Sequence, residues 1–173
     1  MLRRLLLALS LCLAPLALAA CHSSRTEKLD ETLPFVGYVV DQAHLLSDAE
    51  GRALTDRLGR FQRETGHQMA VATVTSLHGE AIASFSLTLA KRWGVGRKHV
   101  DDGILILVAP NERKARIEVG RGLEQALPND SCQEVLDRTM IPSFRKGAFG
   151  EGLAAGVSAI IDRLAAAERK GAA

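Results

Sequence analysis

Asp101-Asp102-Gly103-Ile104-Leu105-Ile106-Leu107-Val108-Ala109-Pro110-Asn111-Glu112-Arg113-Lys114-Ala115-Arg116-Ile117-Glu118-Val119-Gly120-Arg121-Gly122-Leu123-Glu124 is the stretch on which the fold turns. Residues 104–109 are apolar without alternation, the pattern of a strand covered on both faces at the centre of a sheet. Pro110-Asn111-Glu112-Arg113 supplies a turn. Ala115, Ile117 and Val119 then alternate with Arg116 and Glu118, the period of two of a half-covered strand. The two strands are predicted to pair as a hairpin. Antiparallel pairing sets the start of the first beside the end of the second, so residues 101–103 should meet residues 120–124 at one edge of the sheet.

Working outward, helices and strands alternate. Phe35 to Val40 reads as a short extended segment ending at Asp41. Ser47-Asp48-Ala49-Glu50 is a capping box, with Ala53, Leu54, Leu58 and Phe61 at helical spacing behind it and Gly66 as C-cap. Gln68 to Thr75 reads as a strand, and Glu80 to Trp93 as a helix ended by Gly94 and Gly96. Asp130 or Ser131 can cap a helix to about Met140, which Pro142 and Gly147 interrupt. A last helix, from about Glu151, carries Leu153, Val157, Ile160, Ile161 and Leu164 on one face and frays from Ala165. This alternation predicts an α/β domain with a mixed sheet and helices on both faces.

The beginning of the chain reads as an export signal. Arg3 and Arg4 precede an apolar run from Leu5 to Ala20, interrupted by Pro15, and Leu18-Ala19-Ala20-Cys21 follows the pattern of a cleavage site. Leu-Ala-Ala-Cys resembles the lipobox of bacterial lipoproteins, which implies a signal peptide over 1–20 and a diacylated Cys21. Residues 21–33 then form a lipidated cysteine and polar tether, 34–168 the domain, and 169–173 a disordered tail. An ordinary cleaved signal or a short membrane helix is the alternative. Two or more acyl chains hold a protein stably at a membrane. The expected location is the cell envelope, at the outer membrane facing the periplasm in a Gram-negative host, since His22 is not the aspartate that commonly retains lipoproteins at the inner membrane.

Without residues 1–20, lysine plus arginine falls from 22 to 20, against 20 acids. A near-neutral chain with no basic cluster does not point to nucleic acid. Cys12 lies in the signal and Cys21 at the lipid site, so Cys132 is alone in the domain and reads as a small buried apolar residue.

The predicted hairpin brings Asp101, Asp102 and Glu124 together among glycines. Hard cations such as Ca²⁺ or Mg²⁺ take oxygen ligands of this kind, and glycine lets the chain bend around an ion. A solvated turn is the alternative, because the acids lack EF-hand spacing. Cys132 and Arg138 have the Cys-x5-Arg spacing of cysteine phosphatases. The intervening Gln133-Glu134-Val135-Leu136-Asp137 has no glycine and carries two acids, so it cannot form the converging N–H cradle that phosphate needs. Asp-x-Asp-x-Thr, Arg-His-Gly, Walker A and His-Glu-x-x-His motifs are absent. Arg97-Lys98-His99 reads as a solvated basic turn, and His44, His67 and His78 show no ligand spacing.

Val40-Asp41, Leu46-Ser47, Trp93-Gly94-Val95-Gly96, Asp102-Gly103-Ile104-Leu105, Arg116 to Glu124, Ile141-Pro142 and Gly152-Leu153 occur in an order that resembles the TPM domain family, over roughly Val36 to Ile161. The string Ile117-Glu118-Val119-Gly120-x-Gly122-Leu123-Glu124 is the most specific part. The resemblance implies a three-layer α/β/α sandwich, Rossmann-like in outline, usually exported or membrane-attached. It implies acids able to bind divalent cations, weak acid phosphatase activity in some plant members, and accessory roles at membrane complexes in others. Many bacterial relatives carry a transmembrane helix and a glycine-serine-rich tail after the domain; neither follows here, and the lipid would serve as the anchor. Where the family commonly has Asp-Asn-Gly, this chain has Asp101-Asp102-Gly103, which keeps cation ligands but changes the charge.

Two function classes follow. The first is a lipid-anchored, non-enzymatic binding or accessory module of the envelope, attached through its acylated N-terminus, working with a membrane-protein complex and tuned by a divalent cation. The alternative is a metal-assisted acid phosphatase acting on phosphomonoesters, its cation held by Asp101, Asp102, Glu124 and Asp41.

Overall fold

Four strands form one mixed sheet in the order β1 (Val39–Asp41), β2 (Gln68–Thr73), β3 (Gly103–Ala109), β4 (Lys114–Val119). The first three run parallel and β4 returns antiparallel to β3, in the hairpin that the sequence predicts. The computed structural model describes residues 33–171, so the stretch read as a signal peptide, Cys21 and the expected tether through residue 32 lie outside the described residues. Among the described residues no helix is long and apolar enough to cross a membrane.

All seven residues of β3 are buried, as an apolar run flanked on both faces requires. Its alternate side chains feed two cores. Ile104, Ile106 and Val108 join Met69 and Val71 under α1 (Asp48–Thr65) and α5 (Phe149–Gly171). Leu105, Leu107 and Ala109 join Ala70 and Ala72 under Phe85, Leu89 and Trp93 of α2 (Ile82–Trp93). The result is the expected α/β/α sandwich. It has one topological peculiarity. Strands β1, β2 and β3 step across the sheet in one direction, yet the connecting helices α1 and α2 lie on opposite faces. Two such crossovers cannot share one hand, so one departs from the near-universal right-handed rule.

The capping box forms as read. Ser47 Oγ accepts from Glu50 N at 3.3 Å, Glu50 Oε2 accepts from Ser47 N at 2.8 Å, and Gly66 closes α1 with φ 76°. Helix α2 starts two residues later than predicted because Glu80 is held in a turn, its N–H donating to the Leu77 carbonyl at 2.9 Å. The next helical region departs further. It begins as α3 (Asn129–Val135) behind Pro128, and neither Asp130 nor Ser131 caps it. It then widens into a π turn over Leu136–Met140 and continues as α4 (Ile141–Phe144). Pro142 therefore does not end the helix. A proline ring clashes with the carbonyl four residues back, and the wider turn just ahead of it relieves that clash. The final helix begins at Phe149 and reaches Gly171, beyond the point at which fraying is expected.

Candidate functional site

The base of the hairpin is closed by backbone. Gly120 N donates to the Gly103 carbonyl at 2.8 Å and Gly122 N to the Asp101 carbonyl at 3.0 Å. A Cβ on Gly103 would overlap the Val95 carbonyl oxygen, and one on Gly120 would overlap that of Asp101. Glycine is required here by close backbone approach.

The two aspartates have different environments. Asp102 is 1% exposed. Its Oδ1 accepts from Arg97 N at 2.7 Å; its Oδ2 accepts from Arg97 Nε at 2.7 Å and lies 2.9 Å from His67 Nδ1. Burial pushes this carboxyl up, but the Arg97 side chain and N–H, with His67, outweigh that and hold it down at about 2. Asp102 thus ties the start of β3 to the loop after α2 and to the residue before β2. Asp101 is exposed and left-handed, φ 55°, and its Oδ2 accepts from Arg121 at 2.7 Å.

His67 and Arg97 are the residues that spacing alone does not reveal. The parallel register pairs Gln68 with Gly103, so the residues just before them, His67 and Asp102, fall side by side. His67 Nε2 also approaches Glu168 Oε1 of α5 at 3.6 Å. Arg97-Lys98-His99 is an exposed turn, as read, and within it Arg97 also locks a buried acid.

Asp41 sits at the other end of the sheet. It pairs in register with Thr73, five ladder steps from the Gln68–Gly103 pair, a separation of about 17 Å at strand rise. Its carboxylate accepts from Leu45 N at 3.0 Å, Leu46 N at 2.9 Å and the Thr73 hydroxyl, fixing the turn into α1. The four acids therefore do not form one coordination sphere, and among the described residues no three His, Cys, Asp or Glu side chains converge. Of the four, only Asp101 and Glu124 line a common cleft, an opening of about 870 Å³ between the end of α2 and the end of β4.

A second cleft, of about 660 Å³, opens at the hairpin turn. Arg113, Lys114 and Arg145 surround a floor that includes Ile141, Phe144 and Phe149, the two phenylalanine rings stacking at 5.2 Å. None of the three cations makes a salt bridge or side-chain hydrogen bond among the described residues. Arg113 holds φ 52° in the turn, a left-handed conformation that a long side chain adopts at a cost.

Cys132 is buried and its thiol is pushed up to about 11 by that burial. Arg138 is exposed and paired with Glu134 at 2.9 Å. The Cys-x5-Arg spacing builds no phosphate loop.

The family model of the TPM domain matches residues 39–163. Among solved structures, the N-terminal domain of a protein from P. gingivalis is 35% identical, with a TM-score of 0.68 over 73% of this chain and 81% of that one. The BA42 protein from Bizionia argentinensis is 18% identical, with a TM-score of 0.62 over 70% and 83%. The N-terminal domain of the cg2496 protein from Corynebacterium glutamicum is 12% identical, with a TM-score of 0.56 over 78% and 82%. The last two likenesses speak to the fold alone. No curated protein matches the chain.

Proposed function

The chain belongs to the TPM domain family, and from that premise we propose that it works as a lipid-anchored, non-enzymatic binding or accessory module of the cell envelope. The observation that carries this reading is the division of labour among its charges. Asp102 and Asp41 each hold several backbone or side-chain donors at opposite ends of the sheet, whereas Arg113, Lys114 and Arg145 ring an open cleft and make no salt bridge among the described residues. Acids engaged in holding the fold are poor candidates for activating water. Exposed cations over an apolar floor suit the capture of an acidic partner. The anchoring half rests on Arg3-Arg4, the apolar run and Leu18-Ala19-Ala20-Cys21.

The metal-assisted phosphatase is the second reading, favoured by one feature: Asp101 and Glu124 line the same cleft. The test joins two measurements. Cys21→Ser in the intact chain is expected to abolish fatty-acid labelling and membrane fractionation; retention of both would remove the lipid anchor. Purified protein with p-nitrophenyl phosphate is expected to show no turnover above blank in Mg²⁺, Ca²⁺ or EDTA. Turnover that requires the cation and falls in Glu124→Gln would replace the binding module with the phosphatase.

A further inference from the structure

The helices differ in the charge they present. Helix α1 carries four acids and four arginines, and α5 three acids and three bases. Residues 82–100, which are α2 and the loop after it, hold Lys91, Arg92, Arg97 and Lys98 and no acid. Leu87 and Lys91 stand one turn apart on the outward side of α2 and are exposed, as are Lys98, His99 and Val100 in the loop. Lys91 and Lys98 make no salt bridge among the described residues. On the rim shared with β4, Asp101 is paired with Arg121 and Glu118 with Arg116, which leaves Glu124 as the one acid of that cleft outside a salt bridge. The large apolar side chains exposed among the described residues are Phe35, Val36, Leu87 and Val100. Each belongs to α2, to the loop after it, or to the segment that enters beside it, where the Phe35 ring lies 5.3 Å from that of Trp93.

The chain enters the domain on this same side of the sheet. Leu33 is buried in the core beneath α2, and its carbonyl accepts from Trp93 Nε1 at 3.0 Å. Residues 22–32 separate it from Cys21, and eleven residues extend at most about 40 Å. An acylated Cys21 would hold the α2 side within that reach of the bilayer, at an effective concentration of about millimolar, so contacts too weak to act between separate molecules become populated. Exposed lysines beside exposed apolar side chains suit an anionic lipid surface, because phosphates attract the ammonium groups while the apolar groups enter the interface. We propose that α2 and residues 94–100 are the membrane-facing surface of the anchored domain and dock on anionic phospholipid, with Lys91 and Lys98 against lipid phosphates and Leu87 and Val100 in the interface. The layer holding Ile141, Phe144 and Phe149 lies across the sheet from α2, so docking leaves the cleft at the hairpin turn accessible. The inference rests on the lipid-anchor reading and adds to it the face that the anchor presents.

The test incorporates the full chain, purified in mild detergent, into vesicles of phosphatidylcholine alone or of phosphatidylcholine with phosphatidylglycerol, and reads amide hydrogen exchange by mass spectrometry. In the anionic vesicles the amides of residues 94–100 are expected to exchange several-fold more slowly than in the neutral ones, with α5 unchanged and the difference lost at high salt. Lys91→Glu with Lys98→Glu is expected to abolish the slowing. Lys114→Glu with Arg145→Glu makes the same charge change at the hairpin-turn cleft and is expected to leave it in place. Leu87→Gln is expected to reduce the slowing, and decides the matter if the first pair fails to fold. Flotation with the neutral vesicles reports the anchor separately. A chain that floats with neither kind of vesicle would remove the anchor and this inference with it. A chain that floats with both, yet exchanges identically in both, would overturn the docking surface and leave the anchor standing. Slowing that survives Lys91→Glu with Lys98→Glu but is lost in Lys114→Glu with Arg145→Glu would overturn it in favour of the cleft.

Discussion

The two ends of the sheet are built on opposite plans. At the base of the hairpin, backbone meets backbone so closely that Gly103 and Gly120 have no room for a Cβ, and the buried Asp102 is matched by Arg97 and His67. At the hairpin turn the chain accepts a left-handed Arg113, and Arg113, Lys114 and Arg145 around the cleft there make no salt bridge among the described residues. Charges of the first kind determine how the chain folds. Charges of the second kind do little for the fold and are available to something outside it. The comparison teaches that a conspicuous acidic motif can be structural while the less conspicuous basic turn is the open surface.

The largest effect expected on this contrast comes from filling the closed end. Gly120→Val drives a side chain into the Asp101 carbonyl and should destabilise by about 3 kcal/mol or more. Chemical denaturation measures it, and a variant of near wild-type stability would show that the backbone approach is not obligatory.

Next is the acid lock. The Asp102 carboxyl, held at about 2 against 3.8 for an ordinary aspartate, binds its proton more weakly when folded than when unfolded. Its stabilisation is therefore fully present above about pH 4 and lost as pH falls toward 2. One pH unit corresponds to about 1.4 kcal/mol, so the loss is roughly 2 kcal/mol. Denaturation between pH 5 and 2 should show a steeper decline for wild type than for Asp102→Asn; parallel curves would remove the lock.

The hairpin, the caps of α1 and the two-faced burial of β3 were legible because each is written in contiguous residues: an apolar run, a Ser-x-x-Glu box, an alternating strand. Proximity of Asp101 to Gly120 and Gly122 followed from the hairpin alone. The pairing of His67 with Asp102 did not, because it depends on the register of two parallel strands separated by α2. Asp41 was grouped with the wrong acids for a related reason. It ends β1 while Asp102 precedes β3, and parallel strands send those two ends to opposite edges of the sheet. Pro142 looked like a stop because the π turn that accommodates it has no sequence signature.

The smallest effect belongs to the open end. Arg113→Gly relieves a left-handed side chain, and the relief is partly offset by the greater freedom of glycine in the unfolded chain. The variant should be equal to wild type or more stable by up to about 1 kcal/mol. A clear loss of stability would mean that Arg113 holds the turn, and the two ends would no longer differ in kind.

The most direct test of the account is the stability of Asp101→Asn with Asp102→Asn against wild type, by thermal melting at pH 7 in EDTA and again in Ca²⁺. Because Asp102 is matched by Arg97 and His67, the variant should melt lower than wild type in EDTA. Ca²⁺ should leave that difference unchanged. A variant as stable as wild type in EDTA, together with a Ca²⁺-dependent rise in wild type alone, would contradict the account: the aspartates would then be repelling one another until a cation arrives.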